Sequence, residues 1–392
     1  MPDTVTIRAP AYARAQQQSA VLPWYVYSVL VASASAVVGA LWDVSWHSSI
    51  GRDTFWTPPH LVTQFCAVLG ATTCAILILH TSFSNDDSAR AVSVGILGFH
   101  GPFAAFVVMW GAAAMLVSAP FDNWWHNAYG LDVKILSPPH ALLLLGVTCV
   151  QLGGMLLILA CRNRAEGGSR SRLDWLFLCA AGLFLSSVLF FSLEYTLRIF
   201  MHSAIFYRAV SIGVPIVLIG AGRASEKRWA ATTIAGVYTV LWLAVRLILH
   251  LFPAEPKLGP VYNKVSHYVG LFFPLLIIAA AICLDLVRPW IRDHRKWLQA
   301  GVLGAVFLAV MVAVHWPFGT FLMSPASRNW FFGTAEFSYF WPPEARMVRH
   351  VFYAYEPTRG AFTLGMSIAL ACAILSTRLG LGWAKWMREV RR

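Results

Sequence analysis

The chain has 392 residues, 58% of them hydrophobic and 12% charged, and its mean hydropathy is +0.62. Such a composition excludes an ordinary soluble domain and indicates an integral membrane protein. The formal net charge of +12 does not point to nucleic acid, because the basic residues collect in segments between apolar runs, where the positive-inside bias and anionic lipid account for them.

Ten apolar runs are long enough to cross a hydrocarbon core of about 30 Å as helices of about 20 residues. In chain order they are 23–42, 60–82, 92–119, 139–161, 173–193, 203–222, 229–251, 267–287, 297–316 and 362–384. Their length and lack of strand-like alternation predict an all-α polytopic membrane fold with about ten transmembrane helices. The first 22 residues are polar, with Arg8 and Arg14, and predict a cytoplasmic arm with the first helix retained as an anchor.

Arg162, Arg164, Arg170 and Arg172 follow the fourth run, Arg223, Lys227 and Arg228 the sixth, and Arg288, Arg292, Arg295 and Lys296 the eighth. With ten crossings all three groups share one side with both termini, and the positive-inside bias assigns that side to the cytoplasm. The seven cysteines lie in or at the ends of apolar runs without CxxC spacing, so neither disulfides nor a thiolate metal site is expected.

Two stretches then face outward. The first, "WDVSWHSSIGRDTFWTPPH", contains Asp43, His47, Asp53 and His60; the second, "FDNWWHNAYGLDVKILSPPH", contains Asp122, His126, Asp132 and His140. Trp46 and Trp125 precede the first histidine of each, Gly51 and Gly130 follow it by four positions, and a Pro-Pro pair precedes the last histidine. The order of types is an internal duplication.

Asp and His four apart on a helix stand one turn apart on one face, close enough to share a cation. Pro-Pro-His suits the start of the next helix, since proline lacks only an N–H that would be unpaired in the first turn. Each repeat therefore predicts two imidazoles and one carboxylate converging where adjoining helices meet the exterior. That donor set suits copper, with zinc or Fe(II) as alternatives, and the lack of thiolate argues against a closed structural zinc site. Asp53 and Asp132 would orient a ligating imidazole or move protons. One such motif is as well explained by ordinary interfacial residues; its repetition favours metal.

These residues resemble the membrane copper sites of the C subunit in the copper membrane monooxygenases, the particulate methane and ammonia monooxygenases. Asp-x3-His-x12-His in the first stretch, with its "WH", "RDT" and "T-P-x-H", is similar to one site, and the x3, x13 spacing of the second to its neighbour. The resemblance implies that Asp43, His47 and His60 hold one copper and Asp122, His126 and His140 another. The chain departs from the family at Asp122, where asparagine is usual.

The region from about 229 to 350, with "GPVYNKVSHYVGLFFPLLIIAAAICLD" and "FLMSPASRNWFFG", looks like the A subunit of the same enzymes. The implied organisation is a C-like metal-binding bundle over 23–165, a connecting region over 166–228 and an A-like bundle over 229–392 with an outer loop at 317–361. A separate cupredoxin-like B-type subunit and a homotrimer are implied partners, beside the lipid bilayer, O2 and a small apolar substrate. The expected location is a bacterial-type inner membrane, with the metal sites toward the periplasm.

Two further readings concern single residues. His100 in "GFHGPF" falls inside the third run, where a polar group needs a partner, and Glu194, Arg198 and His202 have the spacing of an ion-pair ladder along one helix face. The function expected is a copper-dependent monooxygenase that hydroxylates a hydrocarbon or ammonia. The alternatives are a non-catalytic copper-loading or sensing protein and a proton-coupled transporter.

Overall fold

The structure is a computed structural model and describes residues 22–84, 90–130 and 137–391. Asp132 and the arm before Leu22 lie outside the described residues. Among those described are ten α-helices: α1 (Trp24–Ser49), α2 (Pro58–Phe83), α3 (Phe103–Tyr129), α4 (Pro138–Arg164), α5 (Gly167–Phe191), α6 (Ala204–Ala224), α7 (Ala230–Leu249), α8 (Ile277–Ile291), α9 (Lys296–Met323) and α10 (Arg359–Glu389). Nine of these, all but α8, are long and apolar enough to cross a membrane. The chain is an all-α polytopic membrane protein.

Helices α1 to α4 pack on one another in sequence order, α1 on α2, α2 on α3 and α3 on α4. Between lipid-facing helices there is little hydrophobic driving force, so small residues that let backbones approach do the packing. Gly111 of α3 and Gly146 of α4 lie back to back: a Cβ on either would come within 2.7 Å of the other's carbonyl oxygen. Gln64 near the start of α2 donates to the carbonyl of Met115, at the middle of α3, at 3.4 Å. Within the stretch 166–228, α6 packs along α10 through Gly220 and Gly380.

Three sequence expectations are corrected. The third run does not form a helix over 92–119. Val94–Ile96 and Phe99–Gly101 pair as an antiparallel hairpin, and α3 begins only at Phe103. Gly98, at φ +82°, allows the tight turn, and Pro102 forces extended backbone just before the helix. His100 is therefore an exposed strand residue whose backbone bonds Ser82, not a mid-span group.

The eighth run is half helix. Residues up to Leu276 are irregular, and α8 has only 15 residues, about 22 Å at 1.5 Å per residue and short of a full crossing. Non-helical backbone in an apolar setting must find partners outside itself, and side chains supply them. Ser49 Oγ accepts from Val269 N at 2.8 Å, Arg246 Nε donates to Leu271 O at 2.9 Å, Tyr238 Oη accepts from Leu275 N at 2.9 Å, and His315 Nε2 accepts from Leu276 N at 3.0 Å. Arg246, Tyr238 and His315 are 1%, 1% and 0% exposed. These three polar side chains replace the missing helical hydrogen bonds.

The expected ladder of Glu194, Arg198 and His202 does not exist, because α5 ends at Phe191 and two 3-10 turns follow. Glu194 is exposed, Arg198 is buried against Thr334, and the His202 ring is sandwiched between Trp316 and Phe352 at 4.3 and 3.8 Å.

Candidate metal centre

Asp43 and His47 occupy the last two turns of α1, which continues past the expected end of the first span to Ser49. The chain leaves through Gly51 at φ +84° and re-enters at Pro58, the first residue of α2, so that His60 stands in the first turn of α2. The second repeat has the same construction. Asp122 and His126 lie in the last two turns of α3, Gly130 follows at φ +85°, and His140 stands in the first turn of α4 after Pro138-Pro139.

In the first cluster, His60 Nε2 lies 3.2 Å from Asp43 Oδ1, and His47 Nε2 lies 3.7 Å from Asp43 Oδ2. One ligand atom from each of the three residues lies within 4.8 Å of the other two. Asp53 joins them: its Oδ2 is 3.5 Å from His47 Nε2 and 3.6 Å from His60 Nε2. Donors about 2.0 to 2.2 Å from a shared ion stand roughly 3 to 3.6 Å apart, so the observed separations need only small closure.

Hydrogen bonding fixes which nitrogens face inward. His60 Nδ1 lies 2.9 Å from the carbonyl oxygen of Thr54. A carbonyl only accepts, so Nδ1 carries a proton and Nε2 is the nitrogen that faces Asp43 and Asp53. Asp43 Oδ1 is buried 3.2 Å from it. A proton on Nε2 would pair these atoms, and a cation in its place would bridge them in the same way.

The second cluster repeats this arrangement more openly. Asp122 Oδ2 is 3.5 Å from His126 Nε2, and Asp122 Oδ1 is 3.5 Å from His140 Nε2. His126 Nδ1 faces the carbonyl of Gly130 at 3.1 Å, and Asp122 Oδ1 is again buried without a hydrogen bond. Among the described residues only the first cluster draws three donor atoms within 4.8 Å of one another. The side chains of Asp43, Asp53 and His60 are 28 to 30% exposed and that of His47 is 45% exposed, so the first cluster is open enough for a ligand to enter.

Asp53 stands at the Nε2 edges of both imidazoles, while the backbone carbonyls of Thr54 and Gly130 face Nδ1 of His60 and of His126. Those carbonyls, of Thr54 and Gly130, were invisible in the sequence, since every residue carries one. Also unforeseen was the cover supplied by the outer loop. Tyr339 N donates to Ser48 O at 3.1 Å and Lys257 N to Ile50 O at 2.8 Å, which packs the carboxyl-terminal half onto the end of α1 that bears the cluster.

Comparison of the chain with protein-family models, with curated proteins and with solved structures finds no match.

Proposed function

We propose that this protein is a copper-dependent, monooxygenase-like membrane oxidoreductase that activates O2 and hydroxylates a small apolar molecule, a hydrocarbon or ammonia. The observation that carries the reading is the convergence of Asp43, His47 and His60, each with a ligand atom within 4.8 Å of the other two, with matching contacts of Asp122 to His126 and His140. Two imidazoles and a carboxylate leave coordination positions open, the donor set of oxygen-activating rather than structural sites. The resemblance of the two motifs to the copper membrane monooxygenases supplies the metal and the substrate class.

In this reading copper, when bound, supplies the one-electron chemistry with O2. The chain's own residues do the rest. Asp43 and His47 clamp from one helix end, His60 closes from the next, and Thr54 holds the His60 ring so that Nε2 presents its lone pair. Asp53, within 3.6 Å of both Nε2 atoms, holds or returns a proton beside the metal position. Asp132, which follows His126 in the sequence at the offset that separates Asp53 from His47, is assigned the same role in the second repeat. An electron donor, such as a cupredoxin-like B-type subunit, and a homotrimeric assembly belong to the same proposal, as do an inner-membrane location and outward-facing sites.

The exposure of His47 favours a second reading, a copper-loading protein that passes the ion on. One experiment separates the two. The protein purified in detergent is assayed for copper per chain and for O2 consumption with alkanes, alkenes or ammonia in the presence of a reductant. Copper that is lost in His47→Ala, with substrate-dependent O2 uptake, supports the oxygenase. Copper that transfers to a chelator without any O2 uptake supports loading, and a wild-type chain that binds no copper removes both.

A further inference from the structure

Three guanidinium groups are deeply buried in this protein, and two of them have a carboxylate. Arg162, 1% exposed, lies 3.2 Å from Asp174, and Arg246, 1% exposed, lies 3.6 Å from Glu336. The third, Arg198, is 6% exposed and has none. Its Nη2 donates to the carbonyl of Thr334 at 2.9 Å, while its Nε is buried without a hydrogen-bond partner. Buried charges are paired, because an unpaired one forfeits its hydration without return.

The surroundings of Arg198 are positive. The charges acting on it are those of Arg328 and Arg246, and burial with this repulsion pushes its guanidinium down to about 10. His350 shares the spot: its ring lies 5.5 Å from that of Phe337, and the Arg198 guanidinium lies 5.8 Å from the same ring. His350 Nδ1 is also buried without a partner, and Arg198 and Arg328 are the charges acting on it. Its backbone is held at φ +50°, a conformation an ordinary side chain adopts only when its surroundings impose it.

We infer that Arg198, His350 and Arg328 form a binding site for a phosphate group, carried either by free phosphate or by a phospholipid headgroup. The chemistry selects phosphate over a simple carboxylate. A carboxylate pairs best with two parallel N–H groups of one guanidinium, and Arg198 already has Nη2 on Thr334. The two nitrogens left buried without partners, Arg198 Nε and His350 Nδ1, stand on separate side chains, with the exposed Arg328 adding charge. Donors on separate side chains suit the spread oxygens of a tetrahedral anion. The site lies in the chain between α5 and α6 and under the outer loop, shares no residue with either histidine–carboxylate cluster, and is independent of any oxygen chemistry.

The test uses the full chain and two probes. In detergent and phosphate-free buffer, binding of inorganic phosphate is measured by calorimetry for wild type, Arg328→Gln and His350→Asn. In nanodiscs of phosphatidylcholine with or without phosphatidylglycerol, retained lipid is measured by native mass spectrometry. Arg328 is exposed and donates only its backbone N–H locally, and asparagine tolerates the left-handed backbone of His350, so both variants should fold. Saturable phosphate binding weakened about tenfold or more in both variants supports a free-phosphate site. Retention of phosphatidylglycerol by wild type, lost in both variants and not displaced by free phosphate, supports a headgroup site. Binding of both probes that is absent in wild type, or equal in all three chains, overturns the proposal.

Discussion

Tyr339, in the outer loop of the carboxyl-terminal half, rests directly on Gly51, at the exit of α1, which carries Asp43 and His47. A Cβ at Gly51 would fall on the Tyr339 hydroxyl, and the loop is pinned there by Tyr339 N to Ser48 O at 3.1 Å. Tyr339 O in turn accepts from Tyr262 N at 2.7 Å and Asn263 N at 3.1 Å. Gly51 therefore serves two purposes, a left-handed backbone and a close approach between halves.

Its counterpart separates these purposes. Gly130 has the same positive φ, but a Cβ there would meet nothing within 4 Å. Gly130→Ala should lose only the backbone term, about 1 to 3 kcal/mol. Gly51→Ala should lose that and also displace Tyr339, giving the larger drop in thermal midpoint in detergent and a looser first cluster. Equal midpoints for the two variants would show that Tyr339 yields freely.

Asp122 contributes the only described carboxylate to the second cluster, with one oxygen toward each imidazole. Asp122→Asn keeps the shape and removes one negative charge. Copper affinity there should fall by about tenfold or more, read as the loss of one copper equivalent on dialysis against a weak chelator. Copper at Asp43, His47 and His60 should stay. A variant that retains both equivalents would show that the second cluster does not use its carboxylate.

Tyr238 is fully enclosed, and its hydroxyl is the partner of the Leu275 N–H in the irregular segment before α8. Tyr238→Phe leaves that N–H unsatisfied in an apolar interior, at a cost of about 1 to 3 kcal/mol. Unfolding by a denaturing detergent should report a loss in that range. No loss would mean that water reaches the segment.

The pH dependence of the outer loop follows from His350. Burial, with Arg198 and Arg328 nearby, pushes its imidazole down to about 4, against about 6.5 in an unfolded chain. Below 6.5 the unfolded state binds the proton and the folded state does not, so stability falls with falling pH. The contribution of His350 is fully present above pH 6.5 and is lost as pH drops toward 4. Measured without phosphate, the midpoint of His350→Asn should fall less steeply over this window than that of wild type. Parallel curves for the two proteins would contradict the assignment.

The apolar runs determined the all-α polytopic fold by themselves, because a helix that satisfies its own backbone can be read from composition and length. The repeated Asp-x3-His and Pro-Pro-His determined where two helix ends would carry donors, since their spacing is a property of a single helix and its entry. Tertiary structure decided everything that depends on partners distant in the chain. Leu271 to Leu276 are as apolar as any span in this protein, yet they form no helix, because Arg246, Tyr238 and His315 from two other helices take the hydrogen bonds a helix would have made. Arg198 has the spacing of a surface ladder, yet it is buried, because the outer loop folds over it. Local pattern specifies a helix that needs no neighbour; it cannot specify backbone or charge whose partners arrive from elsewhere.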